Sequence, residues 1–264
     1  MEPNSLSSDA TQPEDLLDID IEQFRGNNFI MLLEADLNDN LRQLKATLPA
    51  GLLEVKTANS WIEQASKRPI PRMLFSEFWY EQELCILFAD TNVGKTILAV
   101  QIADSISCGR SIPGFKLETM AQKVIYCDFE LNDKQFQGRY SHNYGEPYVF
   151  SDNFLRVEIN PDAVFPEDAS FELSLSNAIE SVIIETGAKI LIIDNITYLR
   201  HENERAKDAL PLMKHLKMLK NKYHLSLLVL AHTPKRDLTK PLTRNDLQGS
   251  KVLMNFCDSS FAIG

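Results

Sequence analysis

Gly94-Lys95-Thr96 is the part of this chain best equipped to do chemistry. An apolar run of strand type, Leu84 to Ala89, leads into the polar segment Asp90-Thr91-Asn92-Val93, and a helix-patterned run from Ile97 to Ile106 follows. Strand, loop and helix in that order, with Gly-Lys-Thr opening the helix, form the layout of a phosphate-binding P-loop. Backbone N–H groups at a helix N-terminus point outward, unpaired, at the positive end of the dipole, so they attract phosphate. The cradle would be Ala89, Asp90, Thr91, Asn92, Val93, Gly94, Lys95 and Thr96. Gly94 lets the backbone approach the phosphate. Lys95, expected to stand exposed on a preformed loop, supplies a point charge to the β- and γ-phosphates, and the Thr96 hydroxyl can ligate Mg²⁺. The strict motif has Gly at its first position, where this chain has Ala89, so the loop is a relaxed variant.

The other polar candidates follow apolar runs. Asp194 ends Ile190-Leu191-Ile192-Ile193-Asp194, where a carboxylate at the tip of a buried strand would hold Mg²⁺ directly or through water. Glu130 lies just past another run, in Asp128-Phe129-Glu130, and is the candidate general base that orients water for in-line attack. Strand alternation would set Asp128 and Glu130 on one side, so Asp128 is the alternative carboxylate. His232 follows Leu225–Ala231 and could sense the γ-phosphate or its attacking water, or simply be hydrogen-bonded at a strand end. Arg139, a few residues after Glu130, is a weaker candidate. The segment Thr233–Lys251 carries Lys235, Arg236, Lys240, Arg244 and Lys251 against Asp237 and Asp246, which reads either as a basic loop for nucleic-acid phosphates or as a solvated charged loop.

These residues need a scaffold that brings several strand ends together. Strand-type runs at Leu84–Ala89, Lys123–Asp128, Ile190–Asp194, Leu225–Ala231 and Ser259–Gly264 alternate with helical stretches near 97–106, 133–140, 174–186 and 206–223. A further strand is expected within an otherwise irregular region, at Leu155–Ile159. That alternation predicts an α/β domain, and continuous apolar strands predict a mostly parallel sheet with helices on both faces. In such sheets ligands bind at the carboxyl ends of the strands, where the polar residues above fall.

The chain has 264 residues, 44% hydrophobic and 24% charged, as in ordinary globular proteins. No apolar run reaches the roughly 18 residues needed to span a bilayer, and no secretory signal is visible, so no membrane role and a cytoplasmic location are expected. Cys85, Cys108, Cys127 and Cys257 are scattered, without metal or redox spacing. The net charge of −10 comes from the N-terminus, where residues 1–40 hold ten acidic residues and only Arg25. Residues 1–56 read as an acidic extension, partly disordered and partly helical, including a short helix from Phe29 to Leu33. Residues 57–264 read as the α/β core, opening with a helix over Ala58–Ser66.

The motifs have an order: Ala-x-x-x-x-Gly-Lys-Thr, then Asp-Phe-Glu, Ile-Leu-Ile-Ile-Asp-Asn, Leu-Ala-His-Thr-Pro-Lys and Gln248-Gly249-Ser250-Lys251. This order resembles the RecA-like P-loop ATPases, in particular the RepA and DnaB types of plasmid and phage hexameric replicative helicases and related AAA-family ATPases of mobile elements. The resemblance covers about Trp61 to Gly264. It implies an ATP- and Mg²⁺-dependent ATPase with Glu130, Lys95 and His232 in catalysis, and with Thr96 and Asp194 on the metal. It also implies His232 on a strand between the P-loop strand and the Asp194 strand. A single-stranded DNA partner at residues 233–251 and a hexameric ring would follow from it. Family members continue into further strands that carry a basic pair for the neighbouring subunit's ATP. The chain given ends before them, so self-sufficient ring activity is not expected of it. Two other readings stay open. One is a nucleotide-gated regulatory protein with slow turnover. The other, disfavoured by Asp-Phe-Glu and the tip histidine, is a P-loop kinase for a small substrate.

Overall fold

The computed structural model describes residues 54–163, 171–196, 209–233, 242–243, 246 and 253–264. The acidic segment through residue 53, with the short helix expected at Phe29–Leu33, lies outside the described residues. The chain divides between Arg68 and Pro69 into two units. In the first, helix α1 (Ala58–Ser66) occupies the span expected of it. The Thr57 side chain accepts from Ser60 N at 3.2 Å and so satisfies one of the helix's free N–H groups.

The second unit is built on a six-stranded sheet. Its strands are β3 (Leu84–Ala89), β4 (Val124–Asp128), β7 (Phe154–Val157), β8 (Ile190–Asp194), β9 (Ser226–His232) and β10 (Ser259–Ile263). Their spatial order is β10-β3-β9-β8-β4-β7, and every pairing is parallel. In this order β9 lies between β3 and β8, as the family resemblance implied. The four central strands are buried along almost their whole length, whereas the edge strands β7 and β10 are only half-buried.

Strand alternation divides the core into two. Leu84, Ile86, Ile125, Leu191, Ile193, Leu227 and Val229 face the layer that includes helices α4 (Phe171–Thr186) and α5 (Ala209–Tyr223). Cys85, Leu87, Val124, Tyr126, Ile192, Leu228 and Leu230 face helix α2 (Lys95–Cys108), which contributes Ala99, Val100, Ile102, Ala103 and Ile106. A strand buried on both sides needs apolar residues at every position, which is why these runs are continuous. Burial pushes the Cys85 and Cys127 thiols up to about 12, as befits core residues.

Helix α2 starts two residues earlier than its apolar pattern and ends at Gly109, which adopts φ 66°. A Cβ there would lie 2.6 Å from the Ala121 backbone nitrogen, so glycine is needed both for the turn and for the close approach. The segment read as irregular after Ser141 contains a small antiparallel pair, β5 (Ser141–His142) and β6 (Glu146–Pro147), before β7. The aromatic-rich stretch before the P-loop strand pairs as β1 (Met73–Phe75) and β2 (Trp79–Tyr80). Strands of two or three residues are too short to show a period, so sequence patterning misses them. Helix α3 (Asp133–Arg139) opens with a capping box made by Asn132 and Gln135.

Candidate functional site

The carboxyl ends of β3, β4, β8 and β9 bring the candidate residues together. Ala89, last in β3, is in register with His232, last in β9, and Asp128 is in register with Asp194. Ala89 is fully buried at its strand end. The loop beyond it turns through two left-handed residues, Asn92 at φ 63° and Gly94 at φ 99°. Asparagine tolerates this region better than most residues, and glycine enters it freely. Thr91, Asn92, Gly94, Lys95, Thr96, Ile97, Glu130, Arg139 and His232 line one open cavity of about 210 Å³. The loop is tied to β9 by a Thr233 hydroxyl that donates to the Asp90 carboxylate and by Thr233 N bonding Ala89 O at 3.1 Å.

Lys95 corrects one expectation. Its residue is only 5% exposed, not standing free on the loop. The ammonium donates to Ala89 O at 3.0 Å, to Asp90 O at 2.8 Å and to His232 Nδ1 at 3.0 Å. An ammonium has three donors, and here each meets an acceptor. Burial lowers the Lys95 pKa, opposed by the charges of Asp194, Glu130 and Asp90. Burial and the Lys95 charge likewise hold His232 below its usual value, opposed by Glu130, which favours the neutral ring.

From His232 the contacts continue to Glu130. Asn195 Nδ2 lies 3.1 Å from His232 Nε2 and 3.0 Å from Glu130 Oε2. Asn195 is 4% exposed and follows Asp194 across a cis peptide bond. Lys95, His232, Asn195 and Glu130 thus form one continuous polar chain across three strand ends. Glu130 itself is exposed and lines the cavity.

Asp194 lies deeper, 1% exposed. The Tyr126 hydroxyl donates to its Oδ2 at 2.7 Å, and the Thr96 hydroxyl also hydrogen-bonds it. Burial pushes its carboxyl up to about 6, and Glu130 and Asp128 add to that, while the Tyr126 and Thr96 hydroxyls pull the other way. A buried carboxylate touching a hydroxyl at the start of the P-loop helix fits Mg²⁺, which binds through one or two protein oxygens together with substrate phosphates. Thr96 and Asp194 are the residues that would hold it.

Asp128 is turned away to another task. Its side chain is fully buried, and Oδ2 accepts from Arg156 Nε at 3.0 Å. Oδ1 accepts from the backbone N–H groups of Glu130 and Leu131 at 3.2 and 2.9 Å, and Arg156 also donates to Leu131 O at 2.6 Å. The pair therefore clamps the turn that presents Glu130. Three contributors went unassigned from sequence: Arg156, Tyr126 and the bridging role of Asn195. Arg156 and Tyr126 sit inside apolar runs with no motif around them. Arg139 does line the cavity. Lys235, Arg236, Lys240, Arg244 and Lys251 lie outside the described residues.

The family model described as "AAA domain" matches residues 49–237. No curated protein matches the chain. Among solved structures, the crystal structure of the KaiC-like protein PH0186 from the hyperthermophilic archaeon Pyrococcus horikoshii OT3 is similar. It has 14% identity and a TM-score of 0.49, covering 74% of this chain and 81% of that one.

Proposed function

We propose that this chain, which belongs to the AAA domain family, hydrolyses ATP with Mg²⁺ and acts on DNA as a helicase or translocase component. The observation that supports hydrolysis most directly is the convergence of Lys95, Thr96, His232 and Glu130 on one cavity, with Asp194 hydrogen-bonded to Thr96. Phosphate would enter at the N-terminus of α2, and Lys95 would exchange its loop carbonyls for phosphate oxygens. Mg²⁺, when bound, neutralises charge developing on the β- and γ-phosphate oxygens. Glu130 orients a water in line with the γ-phosphate and accepts its proton. His232 sits beside Lys95 and reports on the occupancy of that position.

The DNA part of the reading rests on the motif order and on the basic residues between Thr233 and Lys251. Steady-state ATP turnover measured with and without single-stranded DNA tests both halves. Stimulation by DNA supports a motor component. Turnover indifferent to DNA points instead to a nucleotide-gated regulator. An absence of ATP turnover under both conditions overturns the reading.

A further inference from the structure

We infer that Asn195 is a positioning residue that couples Glu130 to the P-loop lysine through the tautomer of His232. The inference rests on Glu130 serving as the base, and it adds to that reading a reason why the base is held without an opposing contact only when phosphate is bound.

The argument is a count of hydrogens. Lysine can only donate, so His232 Nδ1, 3.0 Å from Lys95 Nζ, must accept. A neutral imidazole then carries its proton on Nε2. That nitrogen faces the Asn195 side-chain amide at 3.1 Å, and the same amide group faces Glu130 Oε2 at 3.0 Å. The two neighbours make opposite demands. The carboxylate needs an N–H donor, whereas Nε2–H needs an acceptor. With nitrogen toward them, the amide satisfies Glu130 and sets N–H against N–H. With oxygen toward them, it satisfies His232 and sets oxygen against carboxylate. While Lys95 sits on Nδ1, Asn195 can therefore serve only one neighbour.

Moving Lys95 to a phosphate removes the conflict. Nδ1 is then free to carry the proton and donate, and Nε2 becomes an acceptor. The two hydrogens of the Asn195 amide now serve His232 and Glu130 together. No net proton is gained or lost, because the imidazole only changes tautomer. The buried setting of Asn195 and the half-buried one of His232 make each unmatched contact costly, so the preference is not diluted by water. With Lys95 on its ligand the amide holds Glu130 and His232 together, whereas with Lys95 on Nδ1 its 3.0 Å bond to Glu130 is kept only against the opposed N–H of His232.

A double-mutant cycle on the full chain tests this. Asn195→Ala should lower single-turnover ATP hydrolysis by about 10²-fold, the usual cost of a misplaced reacting group. Affinity for a fluorescent ATP analogue should stay unchanged. In a Glu130→Gln background the same substitution should lower the rate no further, because its effect passes through Glu130. An equal loss in both backgrounds, or no loss in either, overturns the inference. Glu130→Gln turning over at the wild-type rate would overturn the base assignment itself, which is a different outcome. Asn195→Asp keeps the shape but loses the donor, so it serves if the alanine variant fails to fold, and wild-type turnover in it is equally fatal. The ¹⁵N signals of His232 provide a second readout. They should show Nδ1 unprotonated in the nucleotide-free chain and protonated with a non-hydrolysable ATP analogue and Mg²⁺. A protonated Nδ1 before nucleotide is added would refute the coupling.

Discussion

Asp194→Asn is expected to stabilise the metal-free chain progressively as the pH rises. Burial holds the Asp194 carboxyl at about 6, against an ordinary 3.8. The folded state therefore binds this proton more tightly than the unfolded state does. Between roughly pH 4 and pH 6 the group's contribution to stability falls as the pH climbs, and above the folded pKa the penalty is fully present. A shift of about two units corresponds to about 3 kcal/mol at pH 7, and to about half of that at pH 5. Asparagine is neutral throughout and escapes the penalty. It also weakens the bonds from Tyr126 and Thr96, an opposing loss of about 1–3 kcal/mol that does not depend on pH. The readout is therefore the slope and not the sign at any one pH. Urea melts of both proteins with a chelator at pH 5, 6 and 7 should move in favour of the variant by about 1 kcal/mol across that range. Adding ATP·Mg²⁺ at pH 7 should stabilise the wild type more than the variant, because only the wild type offers the metal a carboxylate. A difference that stays flat from pH 5 to 7, or moves the other way, would refute the claim that Asp194 carries a buried charge held for a cation.

Lys95→Ala should abolish ATP binding or turnover while retaining the sheet, and a variant with wild-type turnover would sink the P-loop assignment. Because Lys95 also bonds two loop carbonyls, limited proteolysis should cut the loop of the nucleotide-free variant faster than that of the wild type. Glu130→Gln should still bind ATP·Mg²⁺ but turn over about 10² to 10⁴ times more slowly, as loss of a general base usually costs. Asp128→Asn should instead lower stability, because it strips charge from the Arg156 pair, and a thermal melt separates the two phenotypes. Replacing Lys235, Arg236, Lys240 and Arg244 together should flatten the salt dependence of single-stranded DNA binding, and unchanged binding would move that contact elsewhere.

The scaffold was legible in the sequence wherever burial imposed a pattern. The strands bearing Ala89, Asp128, Asp194 and His232 are unbroken apolar runs because both faces are covered, and a polar residue then marks the tip. The position of β9 between β3 and β8 came from family resemblance and not from periodicity. The internal contacts of the site were much less legible. Nothing local in Leu155-Arg156-Val157 shows that Arg156 reaches a carboxylate 28 positions earlier, because that pairing exists only once β7 lies beside β4. The burial of Lys95 was missed for a related reason. The motif describes what the lysine does with phosphate, while its partners on the chain itself depend on the inward carbonyls of the loop and on a histidine 137 residues away.

Register ties these observations together. The Lys95–His232 contact requires β9 to end level with β3, as the Ala89–His232 pairing does. Asn195 can span His232 and Glu130 only because β8 lies between β9 and β4, one residue short of the same level. A strand that slipped by one residue would turn its core side chains to the opposite face, so the apolar alternation that packs α2 against one side and α4 and α5 against the other also holds the polar tips in line. The interior of this domain and its candidate site are thus specified by the same constraint. A substitution that disturbs packing along β9, at Leu228 or Val229 for example, should alter the His232 contacts before it unfolds the sheet. Core variants of β9 with wild-type melting temperature but depressed turnover would be the signature of that coupling, and turnover that tracks stability alone would show that the tips are positioned by something other than strand register.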